Sequence, residues 1–255
     1  ATGITMDVHM AKVMQKVVEV HALSGGQFDP TVAPLVKLWG FDDMKLNLNV
    51  SRTDITAALV NVGMKFLKVQ GNELVKLKPA VTIDLNGIAQ GYSVDLMADL
   101  LTQRGITSFL VELGGEIAVG GPKPDGRPYT VAIERPIKPG AEATTRILQL
   151  KKGAVTTSGN YRRFLTGKNG TIGHLINPKT GYSFDNGMIS VTVIAPDALT
   201  ADAYDNAFMG MGVKETLKLV EKMKGVEVYM IYRDGKGVVR EAMSPTFRQF
   251  LERLD

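Results

Sequence analysis

Between Val8 and Leu23 the apolar residues Met10, Val13, Met14, Val17 and Val18 recur at helical spacing, which predicts a helix ended by Ser24-Gly25-Gly26. So little chain precedes it that the fold is expected to begin directly with this buried helix, with further chain upstream. A loop carrying Pro30 and Pro34 follows. Ser51, three residues before Asp54, forms a capping-box variant and opens a second short helix in TDITAALVNVG. VQGNELVKLKPAVTIDL reads as two strands joined across Gly71-Asn72, the second running into Asn86-Gly87. Residues 88–104 then read as a helix stopped by Gly105.

The middle of the chain is strand-rich. Residues 108–113, 129–134 and 146–151 alternate or run apolar over strand lengths. The short strand GAV leads into Thr156-Thr157-Ser158-Gly159, read as a hydroxyl-rich turn. YRRFLTGKNGTIGHLI reads as a hairpin with Lys168-Asn169-Gly170 at its turn. MISVTVIA is a β-branched strand, residues 200–211 and 213–224 are helices, and EVYMIYRDGKGVVRE is a hairpin turning at Asp234-Gly235. Ser244-Pro245 caps a last helix. This irregular order argues for an α+β architecture, and the absence of linkers and repeats for one unit of two subdomains over residues 1–255.

Composition narrows the chemistry. A chain of 255 residues that is 44% hydrophobic is not disordered, and the lack of any Cys excludes disulfides, Cys-based zinc sites and thiol nucleophiles. No stretch approaches the roughly 18 consecutive apolar residues of a spanning helix, and ATGITMDVHM is neither the basic nor the apolar part of a secretory signal. The net charge of +4 is interspersed rather than gathered in a block, so it is a weak pointer to anionic partners. No basic helix, aromatic-studded sheet or metal finger points to nucleic acid.

Five segments can carry chemistry. In VTIDLNGIAQGYSVD a strand reaches Asp84, turns at Asn86-Gly87 and enters a helix, a geometry that offers free N–H groups to a phosphate. G-x-G-x-x-G is absent there and a Walker loop is absent from the whole chain, and Gly87 and Gly91 equally suit a turn and helix packing. Asp202, Asp205 and Asn206 share one helix face and present hard oxygen donors for Mg²⁺ or Ca²⁺; the plainer alternative is a solvated acidic face or a partner of the helix dipole. His174, on a strand before Ile176-Asn177-Pro178, is either a general base or a packed imidazole. Thr156–Gly159 hydroxyls can donate to oxygens, and Trp39 with Phe41 can wall a flat ring or pack in the core. His9 and His21 lack acidic or His partners at ligand spacing and read as structural.

The order and wording of GGQFDPTVAPLVKLWGF, VTIDLNGIAQGYSVD, FLVELGGE, TTSGNYRRF, GHLINPKTGY and SVTVIAPDALTADAYDNAFMGMG resemble the ApbE-like FAD:protein FMN transferases from about residue 20 to the C-terminus. The resemblance implies an α+β, T-fold-like arrangement of compact sheets with packed helices and two interlocked subdomains, the family's N-terminal portion being absent here. It also implies a Mg²⁺-dependent enzyme with FAD as substrate, which releases AMP and passes FMN to a Thr hydroxyl of an acceptor protein. Carried over by residue, Gln27, Phe28, Asp29, Asp84, Gln90 and Ile176 belong to the FAD pocket. The main-chain oxygen of Gly87, Asp202, Asp205 and Asn206 form the metal site, and His174 is the base. Two positions depart from the family: Asn206 stands where Thr is usual, and Asn177 where many relatives have Asp. FAD hydrolysis to FMN and AMP, or flavin binding without catalysis, are the alternatives. The family's setting implies the periplasmic face of a bacterial inner membrane, often with a lipid anchor on an N-terminal Cys that this sequence lacks.

Overall fold

The computed structural model describes residues 2–43, 45–134, 145–160, 164–167 and 170–252. The chain does not open on a helix. A short strand, β1 (Thr2–Thr5), precedes α1 (Val8–Leu23), whose start is capped by the Asp7 carboxylate accepting from Met10 N at 2.7 Å. Val13, Met14, Val17 and Val20 form the buried stripe of α1; Val18, assigned to that stripe from its spacing, faces solvent.

The Pro30 and Pro34 stretch is helical rather than a loop. Pro30 begins a single 3₁₀ turn, and Pro34 lies in the first turn of α2 (Ala33–Trp39), where a missing N–H costs nothing. The capping box of Ser51 and Asp54 forms as expected and starts α3 (Arg52–Leu59). The strands β2 (Leu67–Gln70) and β3 (Glu73–Lys76) turn at Gly71-Asn72, and β1 adds to the outer edge of β3. Residues 81–85, expected to continue as a strand, carry no ladder; Asp84 N instead donates to Pro30 O at 2.7 Å, which ties this segment to the 3₁₀ turn that precedes α2.

Next come α4 (Ala89–Gln103), β4 (Leu110–Leu113) and β5 (Glu116–Val119), the last not foreseen, then β6 (Tyr129–Glu134) and β7 (Thr145–Leu150). The hydroxyl-rich run after GAV is not a turn. It belongs to β8 (Gly153–Gly159), because Thr156 to Gly159 pair in register with the following strand partner at Ser190 to Val193. The expected hairpin is β9 (Phe164–Gly167) with β10 (Gly170–Gly173); Lys168 and Asn169 of its turn lie outside the described residues. The remainder is β11 (Met188–Ala195), α5 (Ala198–Met211), α6 (Val213–Val220), β12 (Glu227–Arg233) and β13 (Val239–Met243). Two ends differ from expectation: α6 stops four residues early, and the last element is a 3₁₀ helix, Pro245–Phe250, that Ser244 does not cap. The Ser244 hydroxyl is engaged with strand β12, accepting from Val228 N at 3.0 Å and donating to Glu227.

An antiparallel sheet in the order β13-β12-β11-β8-β5-β4 organises the molecule. Strand alternation sends Val191, Val193, Val228 and Met230 to one face, where α5 packs on β11 and β8, α4 packs beside it on β5 and β4, and α1 packs on α5. Val155, Ile194, Tyr229 and Ile231 go to the other, covered by the β6–β7 hairpin and the terminal 3₁₀ helix. A third apolar cluster joins Leu35, Trp39, Ile55, Val62 and Ile176. Trp39 is fully committed there, its Nε1 donating to Gly181 O at 2.8 Å, so it packs in the core and does not wall a ring site. Among the described residues no helix is long and apolar enough to cross a membrane.

Helix α5 is buried nearly all round, so its free N–H groups must be satisfied inside the protein. Asp95 on α4 accepts from Ala198 N at 2.7 Å and Leu199 N at 2.9 Å, while Asp197 accepts from Thr200 N at 2.7 Å. Asp95→Ala strands two buried donors and is expected to lower unfolding free energy by about 1–3 kcal/mol in urea titrations. A loss under about 0.3 kcal/mol would mean that the α4–α5 junction does not depend on this carboxylate.

Candidate active site

The first turn of α4, the middle of α5, the end of β8 and residues 27–41 surround a cavity of about 540 Å³. Gln27, Phe28, Asp29, Asp84, Gly87, Gln90, His174, Ile176, Asp202 and Asn206 all line it, so residues from distant parts of the sequence meet at one place. Asp205 sits just beneath, fully buried, with Ser158 Oγ of β8 donating to its Oδ1 at 3.1 Å.

The floor of the cavity is set by α5. The helix begins at Ala198, two residues before the predicted start, which puts Asp202 in its second turn rather than near the dipole end. Asp202 and Asp205 are 2% and 1% exposed, which removes the solvated-face reading. The crossing with α4 is close enough that Gly91 N donates to Asp202 Oδ2 at 2.8 Å, and a Cβ at Gly91 would collide with the Ala198 carbonyl. At the α4 start, Ile88 N and Ala89 N are used on Leu85 O and Gly91 N on Asp202, so these three donors are not free for a phosphate. Burial pushes Asp202 up from the ordinary 3.8 to about 7, with the nearby Glu116 adding to the rise. Asp205 is pushed well above its ordinary value, by burial first and by Asp202 second.

Asn206 projects its amide nitrogen into the same space. Nδ2 lies 2.9 Å from Asp205 Oδ1, 3.0 Å from Asp202 O, 3.3 Å from Asp202 Oδ1 and 3.3 Å from Gly87 O. Four oxygens from three residues thus converge on one point. No cluster of three or more His, Cys, Asp or Glu side chains suited to a metal exists among the described residues, so a cation here would rely on two carboxylates completed by main-chain oxygens. That set of hard oxygens fits Mg²⁺ or Ca²⁺, which take carboxylates together with backbone carbonyls.

The other lining residues have different roles. Asp29 is turned into its own loop, Oδ1 accepting from Thr31 N at 2.9 Å and Oδ2 from Met64 N at 3.1 Å, so its carboxylate is largely occupied. Asp84 Oδ1 accepts from Asn86 N at 2.8 Å and shapes the turn before Gly87. Gln90 Nε2 donates to Leu113 O at 2.7 Å across Gly114, which has φ +66° and would meet the Gln90 amide if it bore a Cβ. Ile176 anchors the third apolar cluster, and His174 lies just past β10, not within a strand. His21 bonds Phe28 O at 2.9 Å and His9 bonds Tyr92 Oη at 2.8 Å, both structural.

Sequence reasoning did not single out Glu116, Phe184, Leu175 or Leu46, all of which line the cavity. Glu116 follows the Gly114-Gly115 turn, which the motif FLVELGGE contained without revealing which way its carboxylate points. Burial raises its pKa, and its Oε2, like Gln27 Oε1, has no hydrogen-bond partner among the described residues. The lining combines apolar side chains, Phe28, Phe41, Leu46, Ile176 and Phe184, with polar and largely acidic ones, Asp84, Glu116, Ser158, Asp202 and Asn206. No Lys or Arg lines the cavity among the described residues.

Because Asp202 titrates near 7 folded and near 3.8 unfolded, the native state holds more protons in between, and stability falls as pH rises through that window. With a chelator present, the melting temperature of the wild-type protein is expected to drop by several degrees between pH 5 and pH 8, and Asp202→Asn to flatten that drop. Parallel profiles for the two proteins would show that the Asp202 carboxyl does not take up this proton.

The sequence profile of the ApbE family matches residues 1–230. The FAD:protein FMN transferase of Salmonella typhimurium is 34% identical over 247 residues, covering 95% of this chain and 70% of that protein. The flavin transferase ApbE from Vibrio cholerae superposes with a TM-score of 0.87 at 32% identity, covering 98% of this chain and 79% of that one. The apo flavinyl transferase ApbE of Pseudomonas stutzeri gives 0.85 at 32% identity, over 100% and 78%. The α+β architecture expected from the resemblance is the one found, and the chain belongs to the ApbE family.

Proposed function

We propose that this chain is a FAD:protein FMN transferase that cleaves FAD in this cavity, passes FMN to a Thr hydroxyl of an acceptor protein and releases AMP. The observation that carries the reading is the buried pair Asp202 and Asp205, set with the Gly87 and Asp202 main-chain oxygens at the floor of a nucleotide-sized cavity without a cationic side chain among its described lining. A pyrophosphate cannot approach buried carboxylates unless positive charge stands between them. Mg²⁺ held by Asp202, Asp205 and the Gly87 carbonyl would supply that charge and polarise the phosphate under attack.

The protein's own residues do the rest. Phe28, Phe41 and Phe184 offer flat apolar surface to a ring system, and Gln27 Oε1 and Glu116 Oε2, without a hydrogen-bond partner among the described residues, can accept from N–H or O–H donors such as a flavin imide or sugar hydroxyls carry. Gln90, fixed by Leu113 O, lines the cavity. In the transfer, the Thr hydroxyl oxygen bonds to the phosphorus of the FMN half, the bond from that phosphorus to the AMP oxygen breaks, and the hydroxyl proton passes to His174, which lines the cavity.

Incubation with FAD, Mg²⁺ and a Thr-bearing acceptor is expected to give a fluorescent acceptor band and one AMP per FMN bound. Asp202→Ala is expected to lower the rate at least about a hundredfold, as loss of electrostatic stabilisation at the reacting phosphate does elsewhere. Free FMN with AMP and no labelled acceptor would replace transfer by hydrolysis; FAD retained without AMP would leave only flavin binding.

A further inference from the structure

The Asn206 amide nitrogen stands where the four oxygens converge, at 2.9 to 3.3 Å from each. An amide NH₂ carries two hydrogens, so the four acceptors compete for two donated bonds at any moment. Both Oδ1 atoms belong to buried carboxylates, and a bond to Asp205 Oδ1 at 2.9 Å is charge-assisted whenever that group is ionised. A divalent ion binds oxygens at about 2.0–2.6 Å. It cannot share this point with a nitrogen that also contacts every donor. Turning the amide so that Oδ1 faces inward would add a fifth oxygen to the cluster, tolerable only with the ion already in place.

We propose that Asn206 is a built-in competitor for the divalent cation: its NH₂ group satisfies Asp202, Asp205 and the Gly87 carbonyl in the ion's stead, and ion binding requires this side chain to turn. The inference rests on the reading of the oxygen cluster as the cation site. Gly87 leaves the amide room on its side, since even a Cβ there would meet the Asn206 amide carbon and the Phe28 ring only at 3.4 Å, an ordinary contact distance. Asn206 also lines the cavity, so displacement of the amide is coupled to what the cavity holds. A residue at 206 with an oxygen and no NH₂, such as Thr, would leave the cluster to the ion from the start.

Titration calorimetry with MgCl₂ and thermal melting in EDTA, each on wild type, Asn206→Thr, Asn206→Ala and Asp202→Asn, test this without recourse to activity. Both 206 variants are expected to bind Mg²⁺ about tenfold tighter, the equivalent of one charge-assisted hydrogen bond no longer to be displaced. Both are also expected to melt several degrees lower in EDTA, because the carboxylate pair has lost its internal donor, and to recover more than wild type on adding Mg²⁺. Mg²⁺ binding by wild type as tight as or tighter than by both variants makes Asn206 a ligand or a bystander and overturns the proposal, while loss of binding in Asp202→Asn alone preserves the cation site. If Asp202→Asn binds Mg²⁺ like wild type, or no protein binds it, the cation-site reading fails and this inference with it.

Discussion

Two carboxylates on one helix face, closed off from water with no cation beside them among the described residues, set the terms for everything around the cavity. Burying such a pair costs several kcal/mol unless protons, donors or an ion offset it. The protein supplies donors: Gly91 N–H to Asp202, the Ser158 hydroxyl and the Asn206 amide to Asp205. Each donor in turn demands geometry. Gly91 can donate only because α4 and α5 cross without a side chain between them, and that crossing is held by Asp95, which receives the first two N–H groups of α5. Ser158 can donate only because β8 continues as strand to Gly159 and places its hydroxyl beneath the helix. The scaffold is thus arranged around a buried carboxylate pair at its centre.

The cavity lining combines two kinds of side chain. Its apolar residues simultaneously finish other clusters, Phe28 in the main core and Ile176 in the small cluster with Trp39. Its acidic residues are groups that burial holds away from their ordinary ionisation, Glu116 and Asp202 foremost. A phosphate set against ionised carboxylates of this kind would need a cation between them. The overall charge of +4 has no part in this, since local geometry places carboxylates, and not lysines, at the described lining.

Much of the fold was legible in the sequence because its signals are local. Capping boxes, hairpin turns and helical stripes involve near neighbours, so Ser51 with Asp54, Gly71-Asn72 and the apolar spacing of α1 emerged where their spacing placed them. Errors fell where a local rule met a tertiary contact. The two prolines of residues 30–34 read as a loop, yet both occupy first-turn positions that need no N–H donor. Residues 156–159 read as a turn because hydroxyls favour turns, yet β11 supplied a ladder that overrode the preference. Residues 81–85 read as a strand and found no partner to pair with.

The sequence by itself determined which residue types were available, on which helix face Asp202, Asp205 and Asn206 would stand, and, through six ordered motifs, the family. Only the tertiary structure decided what those groups mean to one another. Spacing along a helix makes two carboxylates neighbours, but whether they are solvated or buried depends on what packs over them, here β8 on one side and Gly91 of α4 on the other. The same holds for Asn206: its type allows an oxygen or a nitrogen to point inward, and four converging acceptors select the nitrogen. Hydrogen-bond direction is settled by the sum of surrounding charges, and that sum exists only once the chain has folded.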